Sequence, residues 1–144
     1  MTQFTLRQAT AEDFPRCLGI RNDAMREYIE QIRGWDEDYE ERRFRGHFHP
    51  DKTRVILSDD RVIGFLGVRD EDGALYVAQF YLVPEYQGQG IGTALMRELL
   101  AEGRPVVLKV TKLNTGARRL YERLAFQVES EDGDSVRMRA EPGT

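Results

Sequence analysis

The chain has 144 residues, 40% of them hydrophobic, which suits one globular domain around one core. Its 21 basic and 25 acidic residues leave a formal net charge of −4, which argues against a nucleic-acid surface, since that needs a basic patch. No apolar run reaches the roughly eighteen residues of a membrane span, and Met1-Thr2-Gln3-Phe4-Thr5-Leu6-Arg7 lacks the apolar core of a signal peptide.

In chain order, residues 4–9 alternate like a short strand, and Thr10-Ala11-Glu12-Asp13 reads as a helix N-cap with an acid at its third position. An amphipathic helix follows to about Tyr28. Cys17, the single cysteine, sits among Phe14, Leu18 and Met25 as a packing group; it can form no internal disulfide, and a reducing cytoplasm is the expected location. After the break at Gly34 a second helix runs from about Asp36 to Phe48. His47 and His49, near its end, lack a third ligand, so no metal is expected. Val55-Ile56-Leu57 and residues 62–68 flank the turn Ser58-Asp59-Asp60-Arg61, and Asp70-Glu71-Asp72-Gly73 turns into a strand over 75–83. A glycine-dense loop leads to a helix over 91–100, and an apolar strand from Val107 runs into Asn114, which can cap the next helix. Asp132-Gly133-Asp134 joins two last strands, 126–129 and 135–138. The order β-α-α-β-β-β-α-β-α-β-β predicts an α/β (mixed α+β) single domain over residues 1–144, a mixed sheet with helices on both faces.

The loop Val83-Pro84-Glu85-Tyr86-Gln87-Gly88-Gln89-Gly90-Ile91-Gly92-Thr93 carries the chemistry. Glycines without Cβ let main-chain N–H groups close around an anion, and the helix that follows turns its unpaired N–H groups to the same place. A phosphate or pyrophosphate is the natural ligand. A dinucleotide fingerprint is a poor fit, because the third glycine falls early and the next strand ends Lys109-Val110-Thr111 without a carboxylate. A P-loop is excluded, because no lysine lies between Tyr86 and Met96.

What remains, Gln87-x-x-Gly90-x-Gly92, resembles the Q/R-x-x-G-x-G/A motif of the GNAT superfamily of acyl-CoA-dependent N-acetyltransferases. Downstream, a strand, Asn114, and a helix with Ala117, Leu120, Tyr121 and Leu124 on one face resemble that family's second motif. The run Leu120-Tyr121-Glu122-Arg123-Leu124-Ala125-Phe126 has Ala125 where the family has glycine; alanine tolerates the left-handed helix cap poorly, so a different helix exit is expected here. The two motifs cover roughly residues 75–128.

The resemblance implies a GNAT-like fold with a mixed, mostly antiparallel central sheet, and acetyl-CoA as co-substrate. The acceptor would be an amine of a small molecule or of a peptide or protein. Loop residues Gln87, Gly88, Gln89, Gly90, Ile91, Gly92 and Thr93 would hold the CoA pyrophosphate. The main chain of Phe80, Tyr81 and Leu82 would hold the pantetheine arm and polarise the thioester. Asn114 would bond the pantetheine, cap its helix, or both. Tyr121 would protonate the departing thiolate; its ordinary pKa near 10 is well matched to a thiol near 8.5. Some members place a glutamate base where this chain has Lys109, so no base is assigned; Glu27, Glu30, Asp36 and Glu37 are the nearby carboxylate candidates. Acceptor binding would fall to the helix junction, with Tyr28 and Trp35 interleaved among carboxylates to hold a cation. Dimers are frequent in such folds, so a homodimer is the assembly implied. The competing reading is a non-catalytic acyl-CoA-binding sensor of the same fold.

Overall fold

In a computed structural model, which describes residues 3–142, the chain runs β1 (Thr5–Gln8), α1 (Phe14–Ile32), α2 (Glu37–His47), β2 (Thr53–Ser58), β3 (Arg61–Glu71), β4 (Ala74–Leu82), α3 (Ile91–Leu100), β5 (Val106–Thr111), α4 (Thr115–Arg123), β6 (Gln127–Asp132) and β7 (Ser135–Ala140). Met1, Thr2, Gly143 and Thr144, included in the expected domain, lie outside the described residues. The strands form one seven-stranded sheet, ordered β1-β2-β3-β4-β5-β7-β6. Its β4–β5 pair is parallel; β1–β2, β2–β3, β5–β7 and β6–β7 are antiparallel. The element order predicts a mixed sheet, and the family resemblance implies that it is mostly antiparallel; both hold.

By internal contacts the chain divides into two compact units, Met1–Gly67 with Gln79–Ile91, and Val68–Ala78 with Gly92–Thr144. The first unit is built around aromatic rings. Phe44 of α2 lies 5.5 Å from Phe14, 5.6 Å from Phe48 and 5.8 Å from Phe65, centroid to centroid. Such tilted and edge-on pairs are favoured by the ring quadrupoles, beyond the roughly 1.5–3 kcal/mol that burying each ring contributes. Cys17, Ile20, Val55, Ile56, Ile63 and Leu66 complete a buried core. Burial pushes the Cys17 thiol up to about 12, which fits packing rather than nucleophilic use. In the second unit, Leu95, Met96 and Leu99 of α3, Val106, Val107 and Leu108 of β5, and Val136 and Met138 of β7 are buried.

Helix α1 extends one turn beyond the expected Tyr28. Ile29 keeps the apolar stripe going and is buried; the helix stops only where Gly34, at φ +81°, turns left-handed and sends its N–H back to Ile29 O. Asp36 then caps α2 by accepting from Tyr39 N at 3.0 Å. The expected tight turns form with positive φ at both central residues, Asp59 and Asp60 in one, Asp72 and Gly73 in the other. That pattern matches the right-handed twist of hairpin strands.

Candidate active site

Alternation along β4 exposes an irregularity. Leu75 donates its N–H to Pro105 O at 2.8 Å, on the β5 side, whereas Val83 donates to Ile63 O at 2.9 Å, on the β3 side. Residues an even number apart point the same way along a regular strand, so β4 carries one extra residue, a β-bulge. The β4–β5 register continues through Val77↔Leu108, which puts the bulge beyond Val77.

In the first unit, the bulged segment leans over Gly64 of β3. A Cβ at Gly64 would come within 2.3 Å of Tyr81 O and 2.8 Å of Leu82 Cδ2, so only glycine admits this approach. With Val83 N–H toward β3, the main chain of Tyr81 faces β3 as well, and that of Phe80 and Leu82 faces the opposite edge. Leu82 O there accepts from Gln87 Nε2 at 2.9 Å. The three strand residues expected to act together are thereby divided: Phe80 and Leu82 present main-chain groups outward, and Tyr81 does not.

The loop that follows braces itself. Gln89 Nε2 donates to Glu85 O at 2.7 Å, and Gln87 reaches back to the strand end. Gly88 and Gly90 adopt φ of +74° and +86°, a region that side chains disfavour. Gln87, Gly88, Gln89 and Gly90 are exposed, and a Cβ on Gly88 would meet nothing within 4 Å. Helix α3 begins at once, with Ile91 and Gly92 buried and Thr93 half-buried. The exposed segment 87–90 thus runs directly into the ten-residue helix α3.

In the second unit, Asn114 Oδ1 accepts from Ala117 N at 3.0 Å, so its oxygen is committed to capping α4. Tyr121, seven residues on, occupies the last turns of the same helix and is 8% exposed. The helix exit corrects the expectation from Ala125. Ala125 adopts the left-handed φ of +69° that a glycine would; its N–H reaches Glu122 O at 3.1 Å, and Phe126 N–H reaches Tyr121 O at 3.0 Å. These are the two hydrogen bonds of a Schellman cap, and the accompanying apolar contact is Phe126 on Tyr121, 5.5 Å between centroids. The cap fixes the Tyr121 ring from behind and outweighs the strain on alanine, about 1–2 kcal/mol. Lys109, at the glutamate position, pairs with Asp132 at 2.8 Å, and that bond holds its ammonium above the usual lysine range.

Of the four candidate carboxylates at the helix junction of the first unit, three have an internal task. Glu30 pairs with Arg26 at 2.8 Å, Asp36 caps α2, and Glu37 accepts from Trp35 Nε1. Glu27 is exposed and Tyr28 half-buried. Trp35, half-buried, already has guanidinium groups at its ring: Arg26 Cζ at 5.1 Å and Arg21 Cζ at 6.0 Å. Beneath lies fully buried Glu40, which accepts from Arg33 Nη2 at 2.9 and 2.8 Å and pairs with Arg21 Nη1 at 2.9 Å. Burial pushes the Glu40 carboxyl up, but the two arginines outweigh it and the net direction is down. Sequence reasoning missed Gly64, Arg21 and Glu40. Their signals were a glycine inside an apolar strand run, and an arginine in line with Cys17 on the apolar stripe of α1. Among the described residues no group of three or more His, Cys, Asp or Glu could hold a metal ion, and no helix is long and apolar enough to cross a membrane.

The chain belongs to the acetyltransferase (GNAT) family, whose sequence model matches residues 11–126. An uncharacterized N-acetyltransferase of Mycobacterium tuberculosis is 32% identical over 87 residues, covering 54% of this chain and 56% of that relative, so the chain spans little more than half of the relative's length. N-alpha-acetyltransferase 30 of Schizosaccharomyces pombe is 33% identical over 94 residues, covering 58% and 63%. In fold, the chain is similar to the PaiA N-acetyltransferase of Thermoplasma acidophilum in complex with coenzyme A, with a TM-score of 0.77 at 21% identity over 97% of this chain and 99% of that one.

Proposed function

We propose that the protein transfers the acetyl group of acetyl-CoA to a primary amine of a small molecule, peptide or protein. The observation that carries this reading is the bulged β4 running directly into a loop with left-handed Gly88 and Gly90 at the start of α3. In this reading residues 87–93 bind the pyrophosphate through main-chain N–H groups, and Phe80 and Leu82 hold the pantetheine arm from the strand edge. Asn114 uses its Nδ2, since its oxygen caps α4.

Acetyl-CoA supplies the activated carbonyl carbon. The neutral amine attacks that carbon, a C–N bond forms and the C–S bond breaks; the amine proton leaves to solvent, and the thiolate gains a proton from Tyr121. No internal base is assigned: Lys109 is ion-paired, Glu30, Asp36 and Glu37 are engaged, and Glu27 is a solvated surface charge. Turnover at low amine should therefore rise with pH over about 7–9, as the neutral amine fraction grows. Tyr28 and Trp35 stay proposed as walls on the acceptor side, with the Trp35 ring already attended by arginine.

The missing base is also the one observation favouring a non-catalytic acyl-CoA sensor. Release of thiol from acetyl-CoA, followed across an amine panel, separates the two. The transferase reading expects amine-dependent release, with Tyr121→Phe slower by ~100-fold or more and acetyl-CoA affinity nearly unchanged. Acetyl-CoA binding without release by any amine would establish the sensor instead. Equal turnover by Tyr121→Phe would return that ring to packing alone.

A further inference from the structure

Arg21 is only 7% exposed, yet half of its guanidinium is unused. Its Nη1 pairs with Glu40 Oε1 at 2.9 Å and donates to Asn22 Oδ1 at 3.0 Å. Neither Nε nor Nη2 makes a hydrogen bond among the described residues. Every buried side-chain nitrogen or oxygen there has a partner, so these two nitrogens retain contact with solvent. Glu40 is satisfied at both oxygens by Arg33, and Arg21 brings a second guanidinium to the same buried carboxylate.

A lock between α1 and α2 needs only the Arg33–Glu40 contact. An additional guanidinium that keeps a planar edge of N–H donors open to solvent can exchange that water for an anion. That edge matches a carboxylate in shape and charge. We propose that Arg21 forms an anion subsite on the acceptor side, so that the preferred acceptor is an amine that also bears a carboxylate, as in an amino acid or a peptide. The inference rests on the acetyl-transfer reading for the reaction, but the subsite can be tested without turnover.

The probes are N-acetyl-alanine, N-acetyl-lysine and N-acetyl-glutamine, each against its carboxamide, titrated calorimetrically into protein with and without saturating CoA. The wild type should bind at least one acid roughly 10- to 100-fold more tightly than its amide, the worth of a charge-assisted hydrogen bond. Arg21→Gln should abolish the difference, and Arg21→Lys should retain the charge but recover only part of it. In the parallel turnover assay, the acid-to-amide preference of the wild type divided by that of Arg21→Gln cancels the unequal basicity of the two amines. Equal binding of acid and amide by the wild type, binding of neither, or a preference that survives in a folded Arg21→Gln would each overturn the proposal. Loss of acetyl-CoA binding in a wild type that still discriminates acid from amide would sink the transferase reading and leave the subsite standing.

Discussion

Replacing Gly64 with alanine tests the strand geometry on which the site depends. The new methyl would sit 2.3 Å from Tyr81 O, 2.8 Å from Leu82 Cδ2 and 3.3 Å from Ile56 Cδ1. The leucine methyl can swing away, but the carbonyl is main chain, and β4 must retreat by ~1 Å to restore an ordinary contact. Overpacking of this kind costs about 1–3 kcal/mol, and the reduced freedom of the unfolded chain returns about 0.5–1. The net loss, about 1–2 kcal/mol, corresponds to a fall in Tm of roughly 3–8 °C. Gly67→Ala is the internal control, because its methyl would meet only the Gln79 side chain, at 3.2 Å from Oε1, which can rotate aside. It should stay within about 0.5 kcal/mol of wild type. Urea unfolding of the three proteins measures the difference, and acetyl-CoA titration should show Gly64→Ala weakened, since Tyr81 adjoins the Leu82 carbonyl that holds Gln87. A Gly64→Ala protein as stable as wild type, or a Gly67→Ala protein equally impaired, would refute the reasoning.

Two further outcomes concern stability. Ala125→Gly relieves a left-handed alanine in the α4 cap and should stabilise the protein by about 0.5–1 kcal/mol in urea unfolding; a loss of stability would mean that the alanine is not strained. The Arg7 fork, with help from Thr10 N–H, outweighs burial and holds Asp13 below the usual carboxylate range; Glu40 is likewise lowered on balance. Both folded-state values lie below the unfolded ones, so their stabilisation is complete above about pH 4 and lost as pH falls through the folded values. Asp13→Asn should flatten that acid limb, and an unchanged pH profile would contradict the assignment.

The sequence made most of the fold legible because its punctuation is local. Gly34, Asp59-Asp60, Asp72-Gly73 and Gly133 each mark a turn that forms where expected, and the glycine loop and its helix follow from residues adjacent in the chain. What was illegible depends on partners distant in sequence. The close approach of Tyr81 to β3 needs Gly64 on another strand, and Arg21 meets Glu40 only after α1 and α2 fold together. Ala125 misled for a related reason: its backbone preference is local, while the pair of hydrogen bonds and the Phe126–Tyr121 contact that override it belong to the whole cap. The junction of α1 and α2, proposed as the acceptor side, reads as an open aromatic and acidic wall in sequence, but its charges are mostly spent on each other.

The central claim, that residues 87–93 bind the pyrophosphate of acetyl-CoA, is tested most directly by thermal unfolding with and without the ligand. Wild type at a ligand concentration a hundred times the dissociation constant should gain about 2.7 kcal/mol of apparent stability. Gly90→Val places a side chain at φ +86° in the loop; the apo variant should lose about 1–2 kcal/mol to strain but remain folded, and its ligand-induced shift should vanish. A wild type whose Tm does not move at millimolar acetyl-CoA, or a Gly90→Val protein with the full shift, would contradict it.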